Sequence, residues 1–354
     1  MSNVATKAKK PNLSVKSVLN WILDHAMIIV IVLLALYVQT QRDAFLKPAS
    51  LINIISLTAA RLPMALGVAG CIILAGTDLT GGRVAGLTAF VAAILLQRAD
   101  VANRVLAGGA PANIVLVLLL VMLIGACVGL INGFVMAKFK VHPYIITLAM
   151  QMIVYGIYLT VSNSVQVGSF DSSYTTSFVT KPLFQIQTGV RPNGTAIFTV
   201  VPMYVLLALI VTALMWVVWN KTAFGKNMFA VGSNEEAARV SGVNVMMTII
   251  GVFMVAGALY RYTGFIEAAR MGSSTATLGL NYEADAISAA VIGGVSFVGG
   301  TGRISGVVLG VFMMQLIIAG MTFLGISGNV TYIVKGAVIL FAVILDMRKY
   351  MTRK

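Results

Sequence analysis

Long apolar runs separated by short polar segments set the pattern of the chain. They cover roughly 21–38, 51–76, 83–97, 113–136, 143–161, 197–219, 246–268, 284–297, 303–324 and 329–346. About 20 helical residues span a hydrocarbon core of about 30 Å. The pattern therefore predicts an all-α fold, a polytopic transmembrane bundle of about ten helices, with both termini on one side. A single membrane domain occupies 21–350, with a basic tail at 1–20 and a short tail at 351–354. The longest interruption, 162–196, carries Asn163, Ser164, Asp171, Ser172, Ser173, Asn193 and Gly194 and is expected as a small cap.

Composition agrees. The chain has 354 residues, 59% hydrophobic and only 10% charged, where a soluble domain has about 25% charged. A mean hydropathy of +0.94 makes lipid the solvent and excludes a soluble enzyme. The net charge of +14 is topology rather than a nucleic-acid surface, because no basic stripe with interleaved aromatics runs along any segment. With the amino terminus inside, 15 Lys and Arg fall in cytoplasmic segments, including Arg83, Lys138, Lys140, Lys221, Lys226, Arg239 and Arg303, against seven outside. Tyr37 to Arg42 follow the first run where a cleavage site would need small residues, so that run is an uncleaved helix. Cys71 and Cys127 lie within apolar runs and His25 and His142 lack ligand-spaced companions, so no metal or cofactor site is read.

Two glycine-rich segments interrupt the apolar pattern. The first, Gly76-Thr77-Asp78-Leu79-Thr80-Gly81-Gly82-Arg83, implies a broken helix, or else a turn in which Asp78 caps the next helix. The second, Gly294-Val295-Ser296-Phe297-Val298-Gly299-Gly300-Thr301-Gly302-Arg303, can be laid on it, with Gly76 on Gly294, Asp78 on Ser296, and Gly81 and Gly82 on Gly299 and Gly300. Matched breaks in two halves point to a translocation pathway past Gly76, Asp78, Thr80, Gly81, Gly82, Gly294, Ser296, Gly299 and Gly300. Glycines four apart, Gly125-Gly129-Gly133 and Gly302-Gly306-Gly310, read as close helix contacts. Of the charges in apolar context, Glu267 and Arg270 are expected to pair, Arg61 and Arg261 have no evident partner, and Glu283 and Asp285 are expected at the outer surface.

The segment Lys221 to Val243 stands apart. Ser233 with Glu236 three residues on makes a capping-box pattern, and Gly242 supplies a stop, predicting a two-turn helix over Gly232, Ser233, Asn234, Glu235, Glu236, Ala237, Ala238, Arg239, Val240, Ser241 and Gly242. So short a helix needs a surface to pack on. No phosphate-binding loop exists anywhere, since Gly225-Lys226 is followed by Asn227, so ATP energy would have to come from a partner.

The two glycine turns and the Gly232–Gly242 segment, together with Trp219-Asn220-Lys221-Thr222 and Val334-Lys335-Gly336-Ala337, resemble permease subunits of bacterial ABC sugar importers of the ribose/galactose class, the galactose and methyl-galactoside members above all, from about Leu51 to Tyr350. The resemblance implies a homodimer in the inner membrane, a cytoplasmic sugar-import ATPase as partner, a periplasmic sugar-binding protein, and a coupling helix at Gly232 to Gly242. Tyr260-Arg261-Tyr262 departs from the small apolar residues usual there, and the amino-terminal tail is longer. The rival reading is an ion-coupled carrier or channel acting as a single chain through Asp78, Glu267 or Asp285.

Overall fold

The computed structural model describes residues 26–101, 104–105 and 110–351. The basic tail 1–20, residues 21–25 with His25, and 352–354 lie outside the described residues. The helices are α1 (Ala26–Gln41), α2 (Pro48–Ile73), α3 (Gly81–Leu95), α4 (Ile114–Phe139), α5 (Pro143–Ser162), α6 (Met203–Lys221), α7 (Ala223–Ser233), α8 (Glu235–Val240), α9 (Val245–Met271), α10 (Tyr282–Ile292), α11 (Ile304–Phe323) and α12 (Gly328–Met351). Among the described residues, α2, α4, α5, α6, α9, α11 and α12 are long and apolar enough to cross a membrane. Their ends are written locally: Asn113 and Asn244 accept first-turn amides of α4 and α9, Pro143 opens α5 behind His142, and left-handed Gly272 closes α9.

The bundle has two distinct ends. One carries α7 and α8. The other, reached along α6, carries a hairpin of β2 (Pro182–Val190) and β3 (Ala196–Pro202), and beside it β1 (Val167–Gly168) pairs with β4 (Ser273–Ser274). The expected cap at 162–196 thus contains strands, and the reading of 197 as a helix start is corrected. Ala196-Ile197-Phe198-Thr199-Val200-Val201 is β-branched and aromatic, and the Asn193-Gly194 turn folds it back on β2.

Two apolar runs do not cross. Segment 83–97 yields the 15-residue α3, and 284–297 yields α10 of 11 residues. Their depth follows from α9, whose 27 residues span the bundle. Gly81, at the start of α3, packs on the ring of Tyr260 near the middle of α9, and Ala85 packs on Gly264. From there α3 runs to the hairpin end. Glu283, in the first turn of α10, lies against Gly82, and α10 runs the opposite way, to Gly293 beside Gly306. Two half-helices thus begin side by side at mid-bundle and point to opposite ends.

Small residues let these elements approach. A Cβ at Gly125, Gly129 or Gly133 on α4 would overlap the backbone of α9, and one at Gly306 or Gly310 would overlap that of Gly293 or Ala289. The glycine spacings read from the sequence are therefore packing seams.

Candidate functional site

The first glycine turn leaves α2 at the α8 end and climbs to mid-bundle. Ala75 takes a left-handed conformation (φ 56°), and the chain then extends over 76–80. Asp78 is 1% exposed and its Oδ1 accepts Thr80 N at 2.9 Å and Thr80 Oγ1 at 2.5 Å, while Tyr260 donates to Oδ2 at 3.2 Å. Thr80 is the N-cap of α3, so Asp78 braces the entry to that helix. Its three contacts are structural.

The second turn differs in backbone. Gly294, Gly299 and Gly300 all have positive φ (85°, 92° and 67°), whereas Gly76, Gly81 and Gly82 do not. The sequence match between the turns is not a structural repeat: the first precedes a half-helix at mid-bundle, and the second follows one at the α8 end. Ser296 donates to Asp346 of α12 at 3.0 Å, and the same carboxylate accepts Phe297 N at 3.2 Å. Nothing in the sequence flagged Asp346.

The segment beyond α6 is two helices rather than one. Thr222 caps the unforeseen α7 by accepting Gly225 N at 3.1 Å. Asn234, not Ser233, caps α8, accepting Ala237 N at 2.9 Å. Ser233 is instead the last residue of α7, where its backbone and hydroxyl pack against Gly300. Glu235 and Glu236 pair with Arg239 on the exposed face, and Ala238 is buried against the bundle. Gly242, with φ 83°, ends α8 as read from the sequence; Gly242 N bonds Arg239 O and Val243 N bonds Ala238 O, each at 3.0 Å.

These three segments meet. Gly300 N donates to Ile73 O at 2.8 Å. A Cβ at Gly232 would overlap that same carbonyl oxygen and lie 3.0 Å from Gly300 N, and a Cβ at Gly299 would lie 3.0 Å from that of Ala75. The end of α2, the second turn and the α7–α8 junction are in backbone contact, which is why both Gly232 and Gly299 are glycine. Beside the junction, a recess of ≈590 Å³ opens between α8 and the α4–α5 connection, lined by Lys140, His142, Glu236 and Arg239 among others.

The remaining charges are largely paired. Glu267 is fully buried and joins Arg270 (2.8 Å), as the spacing predicted, and also Arg61 (2.9 Å), which the sequence left without a partner. Arg61 also stacks on Tyr282 of α10. Glu283 and Asp285 are not at the outer surface: Glu283 is 7% exposed at mid-bundle, and Asp285 holds Lys335 of α12 at 2.8 Å. Of the carboxylates that lie in apolar context, Glu267 and Asp285 are therefore committed to ion pairs within the fold. Arg83 moves too. It lies in the first turn of α3 at mid-bundle rather than at an end, its guanidinium 3.9 Å from the ring centre of Tyr155 on α5.

Comparison with known proteins gives the same direction. The family model described as branched-chain amino acid transport system / permease component matches residues 50–343. The galactose/methyl galactoside import permease protein MglC of Escherichia coli K12 is 43% identical over 97% of this chain and 99% of its own length. That of Salmonella typhimurium is 42% identical over the same shares. The ribose import permease protein RbsC of Escherichia coli K12 is 32% identical over 93% of this chain and 95% of its own. No solved structure matches. With seven helices long and apolar enough to cross a membrane among the described residues and a family match over most of its length, the chain belongs to the permease-component family of these transport systems.

Proposed function

We propose that the chain is the membrane subunit of a binding-protein-dependent ABC importer that carries galactose or methyl galactoside into the cytoplasm. A separate ATPase would supply the energy, a periplasmic binding protein would deliver the sugar, and a second copy would complete the pathway in the inner membrane. Relatives named for galactose at 43% identity against 32% for ribose support the sugar. The observation that carries the mechanism is the junction of Gly232, Ile73 and Gly300, since α8 is too short to persist alone and follows directly on the end of α7, which packs on the end of α2 and on the second glycine turn. A single-chain carrier has no use for such a helix, and the ion pairs of Glu267 and Asp285 leave the rival without those two sites. Removing Arg83 from the cytoplasmic segments leaves fourteen Lys and Arg there against seven outside, which supports a cytoplasmic side for α8 and both termini.

The test is reconstitution in liposomes with a sugar-import ATPase and a galactose-binding protein. Uptake of galactose that needs ATP, both partners and this chain is expected. Uphill uptake by this chain alone, driven by a proton or sodium gradient, would overturn the reading.

A further inference from the structure

The exposed faces of α4 and α5 differ in polarity. Both helices are 22% buried over their most apolar windows, yet mean hydropathy is 3.2 for α4 and 1.7 for α5. The outward face of α4 carries Leu116, Leu119, Leu120 and Leu123, as a lipid-facing helix should. That of α5 carries Met152, Ile153, Ile157 and Val161, but among them stand Gly156, with open space above it, and Thr160, one turn apart, next to the partly exposed Tyr155 and Gln151.

Against Tyr155 lies Arg83, partly exposed at mid-bundle. A guanidinium at that depth faces a partner or a water-filled space, not acyl chains. Behind it is Glu283, more than nine-tenths buried, with Oε2 lacking any hydrogen-bond partner among the described residues and lying at Gly82, where any Cβ would displace it. The first turns of α3 and α10 both begin here, so two positive half-helix ends converge on the spot. A buried unpaired carboxylate oxygen, a cation and an aromatic ring are the groups that grip a neutral, hydroxyl-rich molecule. The carboxylate accepts from hydroxyls, the guanidinium donates to them, and the ring covers an apolar face.

We propose that the α3–α5 face around Arg83, Tyr155 and Glu283 is the wall of the solute pathway, and that these three side chains contact a neutral sugar in transit at mid-membrane. This rests on the importer reading. It moves the solute contact away from Asp78 and Ser296, which are occupied by Thr80, Tyr260 and Asp346.

The test uses the full chain in native membranes, with Cys71 and Cys127 replaced by Ala and single cysteines at Gly156, Thr160, Leu119 and Leu123. A charged, membrane-impermeant methanethiosulfonate reacts with thiolate, which forms only where water reaches. Gly156→Cys and Thr160→Cys are expected to react at least about tenfold faster than the two α4 cysteines, and to be slowed by galactose during ATP-driven turnover. Equal, slow reaction of all four, both at rest and in turnover, would overturn the wall. For the contact itself, Arg83→Gln and Tyr155→Leu are expected to lose uptake while still recovering the ATPase in a pull-down, and wild-type uptake by both would overturn it. Failure of the importer reading would show separately, as wild-type complex without ATP-dependent uptake.

Discussion

Adding one methyl group at Gly232 tests the junction most directly. The new Cβ would overlap the Ile73 carbonyl oxygen and lie 2.8 Å from its carbon and 3.0 Å from Gly300 N. Relief requires the end of α2 and the end of α7 to part, and that stretches the 2.8 Å hydrogen bond from Gly300 N to Ile73 O. Overpacking costs about 1–3 kcal/mol and a lost hydrogen bond about 0.5–1.5 kcal/mol. Alanine's better helix propensity returns about 0.5–1 kcal/mol, because Gly232 lies within α7. The net is a local cost of about 1–3 kcal/mol concentrated at one contact. The rest of the bundle does not depend on it, so Gly232→Ala should insert and accumulate normally and still bind the ATPase through α8. Its uptake per ATP hydrolysed should fall several-fold.

The control is Gly242→Ala. That glycine has φ 83° and open space around it, so the change costs only the left-handed backbone, about 1 kcal/mol at the stop of α8. Uptake and ATP hydrolysis, measured side by side in proteoliposomes, separate the two effects. Wild-type uptake per ATP in Gly232→Ala, or equal damage from Gly242→Ala, would refute the idea that backbone contact at Gly232 ties α8 to the pathway.

Other substitutions probe neighbouring parts. Ala238→Pro removes the bond from Ala238 N to Asn234 O (3.0 Å) and strains a six-residue helix by about 3 kcal/mol, so a pull-down should lose the ATPase while membrane yield is kept. Asn234→Ala removes the observed cap of α8 and should weaken that pull-down by about 1 kcal/mol, five- to tenfold in affinity, more than Ala237→Ser on the same helix. Glu267→Gln leaves Arg61 and Arg270 without their shared carboxylate and should cost about 3–5 kcal/mol, read as lost thermal stability in detergent, whereas the exposed Glu235→Gln should change it by less than about 1 kcal/mol. Asp346→Ala frees Ser296 and Phe297 N and should raise proteolytic nicking in the second glycine turn without loss of insertion.

Much of this arrangement is legible in the residues. Apolar length gives the spans, glycine at four-residue spacing gives the seams, and Gly242 gives the end of α8. Depth is not legible, because hydropathy has no coordinate along the membrane normal. Arg83 follows a glycine pair at the start of an apolar run, which reads as an inside flank. Only the packing of Gly81 on Tyr260 and of Gly82 on Glu283 puts it at mid-bundle. The cap of α8 fails for a related reason. Ser233 and Asn234 are both good caps one residue apart, and what selects Asn234 is Gly300, which holds Ser233 inside α7. Arg61, Asp285 and Asp346 find partners on other elements, hundreds or tens of residues away, and no spacing along the chain encodes them. The hairpin was hidden because Ile197 to Val201 is as apolar as the helix it leads into.

The contact at Gly232 also limits how motion of α8 can reach the middle of the bundle. From Ile73 only the irregular segment 74–80 separates the junction from the first turn of α3, and from Gly300 only 293–299 separates it from the end of α10. Both half-helices begin beside Glu283 and Gly82. A shift of α8 therefore pulls on two short backbone tethers, one leading to the start of α3 at mid-bundle and the other to the end of α10, whose first turn lies at that same mid-bundle point. Neither tether is a regular helix, so each can bend where α4 and α9, held together by their glycine seam, cannot. Rigidity in those long helices and slack in the tethers are both needed for an ATPase at one end to open a path at the centre, and the glycines are placed where these two requirements meet.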